Sequence, residues 1–327
     1  MVMIISAESI SAYVAEECKK HESVIAVVLN GSCARGEETY FINEDGYNEM
    51  ISDFEMLVIV KSHTETESVS AGLENLRNRL IEIRHSKNFD LEWSYKTPKD
   101  LRWLDKRFFF FETKEASKVI YGDESVLRLF PEINLGNLNY SELNTVIIHR
   151  LYHVLRDMQL DDEKYKKYII ARNSLDFPTA FLPLTGILVA SYAGRMAEFE
   201  KVASRYQIPT DLMKRQQDYL IMKRNFSSNL YDTYSYEKML CDFYNDFQFL
   251  KSLQMKLQDG VLFKANRRMM MSAIYRANIH CFKKSLQWRR ILSLLCDEMF
   301  DVIKAGIVDD EKLKTIKITM TELFGYC

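Results

Sequence analysis

The chain has 327 residues, of which 47% are hydrophobic and 28% charged, a length and balance that predict two globular domains with sizeable cores. Eleven glycines and five prolines argue against collagen-like, low-complexity and turn-rich all-β classes, and a formal net charge of −2 argues against a generally basic nucleic-acid or membrane binder. The near-neutral total hides a split: residues 1–125 carry a net of −8 and the remainder a net of +6.

In chain order, Ala7–Lys20 is amphipathic, with Ile10, Tyr13 and Val14 on one face and Ser6 placed to cap it. Val24–Leu29 is a continuous apolar, β-branched run ending in Asn30-Gly31-Ser32, the pattern of a strand buried on both faces. Phe54–Val60 predicts a second strand, Glu65–His85 a long amphipathic helix, and Phe89–Tyr95 a third strand, after which Pro98 opens another helix. Val119–Tyr121 with Gly122-Asp123 predicts a short strand and turn.

Strand signals stop near Ser141. Leu143–Met158, Tyr165–Asp176, Leu182–Tyr206, Thr210–Asn225, Tyr236–Leu257, Asn266–Phe282 and Leu286–Ala305 all carry helical patterns. Asn134, Gly136, Asn137 and Asn139 mark a loop between Pro131 and Ser141. The expected fold is therefore α+β: a small mixed-sheet domain over residues 1–130, then an all-α helical bundle over 141–327.

Six cysteines lie scattered without metal-ligand or CxxC spacing, as expected for a reducing compartment, and the first residues lack the basic-then-apolar pattern of a signal peptide. The most apolar run, Thr179–Gly194, is about 16 residues long against roughly 20 for a membrane span, so it predicts a buried helix. The expected location is the cytoplasm, with no membrane partner.

Three segments of the front domain carry chemistry. Gly31-Ser32-Cys33-Ala34-Arg35-Gly36-Glu37 follows a buried strand with glycine spacing like that of a phosphate-binding P-loop, but Glu37-Glu38 stand where that loop needs Lys and Ser/Thr. What remains is a Gly-Ser turn with free backbone N–H groups and a hydroxyl suited to phosphate oxygens. In Ser52-Asp53-Phe54-Glu55-Met56, alternation puts Asp53 and Glu55 on one face of the strand, about 7 Å apart at Cα, close enough to share a cation. In Phe89-Asp90-Leu91-Glu92-Trp93, Asp90 and Glu92 again share a face, and alternation alone leaves either as a third carboxylate.

Together, Gly31-Ser32, Arg35-Gly36-Glu37, Asp53-x-Glu55 in an apolar strand and a third acid on a later strand resemble the polymerase-β-type nucleotidyltransferase superfamily. Leu91-Glu92-Trp93-Ser94-Tyr95 through Asp100-Leu101 is similar in spacing to the third-acid strand of aminoglycoside adenylyltransferases, and that resemblance selects Glu92 over Asp90. It implies a nucleotidyltransferase domain ending near Val119–Gly122 and a helical C-terminal domain. Two departures stand out. Glu38–Ile51 lengthens the link to the Asp-x-Glu strand, where Phe41–Tyr47 has the makings of a hairpin, and Glu55 replaces the commoner Asp.

The resemblance implies a magnesium-dependent enzyme that moves a nucleoside monophosphate from an NTP to an acceptor hydroxyl and releases pyrophosphate. Asp53, Glu55 and Glu92 would be the catalytic and metal-binding residues, with two Mg²⁺ ions or Mn²⁺ in their place. Gly31, Ser32 and Arg35 would bind the nucleotide phosphates. The expected partners are a nucleoside triphosphate and a small-molecule acceptor. The alternatives are an RNA or nucleotide acceptor, or a non-catalytic nucleotide-sensing module of the same fold. Farther along, His149, His153, Arg150 and Arg156 on one helix and the Lys264–Arg290 stretch supply cations, which helix-surface pairing also explains.

Overall fold

A computed structural model gives the fold and describes residues 6–42, 48–84, 90–104, 106–138, 141–158 and 160–275, together with Met299 and Ile316. The chain divides into two compact units. The first comprises Met1–Leu138 with residues 189–194 and 224–227, and the second comprises the rest. Two short stretches from the expected helical part therefore belong to the front unit.

The front unit is α+β. Helix α1 (Ala7–Cys18) starts at Ser6, whose hydroxyl accepts the Ser9 N–H while the Ser9 hydroxyl accepts the Ser6 N–H, the reciprocal cap expected at such a start. Strand β1 (Val24–Leu29) leads into a single helical turn, α2 (Gly31–Arg35), and then into a hairpin of β2 (Tyr40–Ile42) and β3 (Asn48–Met50). The tip of the expected hairpin, residues 43–47, lies outside the described residues. Strand β4 (Phe54–Val60), helix α3 (Thr66–Arg84), β5 (Leu91–Lys96), α4 (Pro98–Arg102), α5 (Phe108–Ala116) and β6 (Lys118–Gly122) follow. Thr97 caps α4, with Pro98 at its first position.

The sheet order is β5-β4-β1-β6, with β4 and β5 parallel and β1 antiparallel to both its neighbours, so the sheet is mixed. The two central strands are apolar apart from Glu55, and core side chains pack against both faces. On one face Val27, Leu29, Phe54, Met56, Val58 and Val60 pack with Ile10 and Val14 of α1 and Leu73, Leu76 and Leu80 of α3. On the other, Ala26, Val28, Leu57 and Ile59 meet Leu101, Val126 and Phe130.

The second unit is helical among its described residues: α6 (Ser141–Asp157), α7 (Glu163–Ser174), α8 (Asp176–Phe181), α11 (Leu230–Thr233), α12 (Tyr236–Tyr275) and all but the ends of α9 (Tyr192–Ala203) and α10 (Thr210–Arg224) that belong to the first. Its core includes a cluster of Phe177, Phe181 and Phe199 rings.

Two expectations are corrected here. The run Thr179–Gly194, and with it the helix expected over Leu182–Tyr206, is not one helix. α8 ends at Phe181, a 3₁₀ turn covers Leu182–Thr185, and Gly186 takes a left-handed φ of 92°. Pro183 removes a donor, and Gly186 adopts a backbone angle that terminates a helix. A straight helix from Asp176 to Arg195 would span nearly 30 Å at 1.5 Å per residue, yet those two side chains approach to 3.8 Å. Conversely, α12 runs without a break through the expected gap between Leu257 and Asn266. The rest of the Asn266–Phe282 helix and, apart from Met299, the Leu286–Ala305 helix lie outside the described residues, as do the side chains of Lys264–Arg290.

Arg195 is 2% exposed; it donates to Thr179 at 2.7 Å and, with Arg150, neutralises Asp176. Removing one cation from a buried carboxylate and leaving a void predicts that Arg195→Ala loses about 3–5 kcal/mol, read as a fall in ΔG from urea unfolding. The cations of α6 are likewise engaged inside this unit. Arg150 pairs with Asp176 and Arg156 with Asp157, while burial, reinforced by Arg150 and Arg156, pushes His153 down to about 2 and keeps it neutral. No helix among the described residues is long and apolar enough to cross a membrane.

Candidate active site

The site is built on the ends of three adjacent strands. The β1–β4 ladder has Leu29 opposite Met56, and one further bond, from the Asn30 N–H to the Glu55 carbonyl at 2.8 Å, extends it to Asn30 opposite Glu55. On the other side of β4, Glu55 lies in register with Glu92 of β5. Asn30, Glu55 and Glu92 thus form a row across three strands, at about 4.7–4.9 Å per strand. Leu29, Phe54, Met56 and Leu91 belong to the core beneath α1 and α3. Alternation puts Asn30, Asp53, Glu55 and Glu92 on the opposite face.

Gly31 turns out of this row with φ +66°, and a Cβ built on it would stand 2.6 Å from Glu55 Oε2. Glycine is required twice over: for the left-handed angle and because a carboxylate lies where a side chain would begin. α2 is held against the start of β4 by Cys33, which is buried and whose Sγ is 3.4 Å from the Asp53 carbonyl. The Ser32 carbonyl accepts the Glu37 N–H at 2.9 Å, closing the turn.

Glu92 is the electrostatic focus. Desolvation by the surrounding protein, then the charges of Asp53, Glu55 and Asp90, push its carboxyl up from the ordinary 4.5 to about 7. Asp90, the other candidate for third acid, hydrogen-bonds Glu92 and pairs with Arg77 of α3 at 3.4 Å. Register thus aligns Glu92 with Glu55, while Asp90 is engaged by a helix cation. In metal-free protein, folded Glu92 keeps its proton where the unfolded chain has lost it, so stability falls as pH rises from about 4.5 to about 7. Glu92→Gln is expected to remove that slope from denaturation curves collected across the window.

Arg35, a phosphate-binding candidate in the sequence, has its guanidinium taken up elsewhere. Nε donates to Glu37 at 2.8 Å, a terminal nitrogen lies 3.8 Å from Glu112, and the group sits 5.5 Å over the Tyr192 ring. Glu37 is 4% exposed and accepts from the backbone N–H groups of Ala193, at 3.0 Å, and Tyr192, with Arg224 at 4.0 Å. Burial alone would raise its pKa, but Arg35 and those backbone donors hold it below the usual carboxylate range. A parallel bridge joins Tyr40 to Asn225, and the Phe41 and Phe226 rings meet edge-on at 5.8 Å. The segments 189–194 and 224–227 therefore brace the stretch that links α2 to the hairpin. Sequence reasoning missed this brace, whose halves are 156 residues apart at Glu37 and Ala193.

It also passed over Asn30, a polar residue closing a wholly apolar strand; Asn30 is 5% exposed, and its side-chain oxygen is buried with no hydrogen-bond partner.

Among the described residues no three His, Cys, Asp or Glu side chains already converge as a metal-binding group. The donor chemistry nevertheless suits a hard cation. The row offers only oxygens, the neighbouring acids raise the proton affinity of Glu92, and Gly31 makes room for the Glu55 carboxylate beside the turn. No protein-family model and no curated protein matches the sequence.

Proposed function

We propose that the chain is a magnesium-dependent nucleotidyltransferase, moving a nucleoside monophosphate from an NTP to the hydroxyl of a small molecule with release of pyrophosphate. The observation that carries this reading is the alignment of Asp53, Glu55 and Glu92 on one sheet face beside the Gly31-Ser32 turn. Carboxylates grouped on the ends of buried strands are costly unless their charge serves a cation. Asp53, Glu55 and Glu92 would hold Mg²⁺, or Mn²⁺ in its place. Bound there, the metal supplies charge neutralisation for the triphosphate and acidifies the acceptor hydroxyl.

The chain's own groups do the rest. Gly31 lets the backbone come close to the nucleotide, and the turn's N–H groups with the Ser32 hydroxyl hold the β- and γ-phosphate oxygens. A Glu92 carboxylate oxygen takes the proton of the acceptor hydroxyl as the bond from that oxygen to the α-phosphorus forms. The bond from the α-phosphorus to the bridging oxygen breaks, and pyrophosphate leaves with the electron pair. Arg35, braced by Glu37 and Glu112, keeps the turn in place rather than binding phosphate.

The test is incubation with α-labelled NTPs, Mg²⁺ and a panel of hydroxyl acceptors that includes RNA, following label transfer and pyrophosphate. Transfer to a small molecule supports the proposal, and transfer to RNA alone replaces the acceptor class. Absence of Mg²⁺-dependent nucleotide binding rejects the reading outright.

A further inference from the structure

Asn30 is the polar group of this row that the chemistry above leaves unused. It stands where α2 would be capped, but its side chain makes no cap hydrogen bond. Its Oδ1 is enclosed by protein and has no donor in reach. The residue ahead of it in the strand, Leu29, packs into the apolar core, so nothing in the local sequence demands an amide here. Across the ladder its register neighbour is Glu55, and beyond that Glu92. An enclosed, unpartnered carbonyl oxygen on a residue whose strand neighbour carries a carboxylate is suited to a group that is positive and also presents hydrogen-bond donors. A sugar hydroxyl would satisfy the amide but leave the repulsion between Glu55 and Glu92 in place. A hydrated divalent cation answers both needs, since its charge meets the acids and its waters, or the ion itself, meet the amide oxygen.

We propose that Asn30 Oδ1 is an additional oxygen ligand, direct or through one metal-bound water, for the divalent cation held at Glu55 and Glu92. The proposal rests on the metal-dependent reading of this site and extends it to a residue outside the acidic set. Its role is to select a hard, hydrated ion and fix that ion toward the β1 side of the row.

The test is Mn²⁺ binding to the full chain without nucleotide, by calorimetry and by the loss of the free-ion electron-spin signal. Asn30→Leu keeps the branching and the number of heavy atoms and removes the oxygen. It is expected to fold, with a metal-free melting temperature no lower than the parent's, and to bind Mn²⁺ about 10- to 100-fold more weakly. Asn30→Asp adds a charge at the same place and is expected to bind Mn²⁺ more tightly. Parent-like Mn²⁺ affinity in Asn30→Leu overturns the assignment while leaving the metal site standing. A parent chain that binds no Mn²⁺ overturns both this inference and the nucleotidyltransferase reading. Should Asn30→Leu fail to fold, Asn30→Asp decides: tighter binding supports the ligand role, and unchanged or weaker binding rejects it.

Discussion

Asp53→Asn should leave the fold intact and cut nucleotidyl transfer by about 10²- to 10³-fold, a loss on the scale of removing a principal electrostatic group from a reacting centre. The fold should survive because Asp53 precedes β4 rather than lying within its ladder, and because the contact from Cys33 uses the Asp53 backbone carbonyl, which the substitution keeps. Removing one of several carboxylates that repel one another should hold or raise the metal-free melting temperature. It should also draw the Glu92 pKa down toward 4.5, since Asp53 is the largest of the charges pushing it up. Glu55→Gln should behave similarly. Label transfer and melting are read on the same preparations. Parent-like turnover in Asp53→Asn would sink the catalytic assignment, whereas a collapse in melting temperature would assign the residue to structure.

Gly31→Ala should separate stability from activity in the opposite way to an ordinary core substitution. The backbone cost of an alanine at φ +66° is about 1–2 kcal/mol. The steric conflict is with the end of a flexible side chain, Glu55 Oε2 at 2.6 Å, so the protein can relieve it by moving that carboxylate. Moving Glu55 by an ångström is what the proposed chemistry would tolerate least, and such a displacement would cost on the order of 10²-fold in rate. The expected result is a modest drop in urea midpoint, weaker Mn²⁺ binding and a kcat fall far larger than the stability loss explains. A kcat that stays at the parent value would show that Glu55 does not act from the place it occupies beside Gly31.

Much of the architecture was legible because it is written in local periodicity. β1 and β4 fall on the apolar runs Val24–Leu29 and Phe54–Val60, and Ser6 and Pro98 stand at the helix starts their chemistry favours. The register aligning Glu55 with Glu92 was not legible, since alternation fixes a face but not which residues of two strands stand side by side. The break after Phe181 is carried by Pro183 and Gly186, two residues that the hydrophobicity of the surrounding run masks. The contacts of Arg35 with Glu112 and Tyr192 were not legible, because both partners lie far away along the chain. Long-range pairing of charges has no period to detect.

The two late segments that join the front unit also bear on how the protein is made. During synthesis the sheet and α1–α5 emerge first, but Glu37 meets its backbone donors only after residue 193 has appeared, and Tyr40 meets Asn225 only later still. Until then Glu37 is a carboxylate due for burial without its partners, and the turn bearing Ser32 is unbraced. Contacts closed over so many residues form slowly, because the chain entropy is lost before the contact rewards it. A nascent front unit should therefore collapse around its apolar sheet well before the turn bearing Ser32 hardens, so that the final geometry of that turn arrives as a late, separate event in folding.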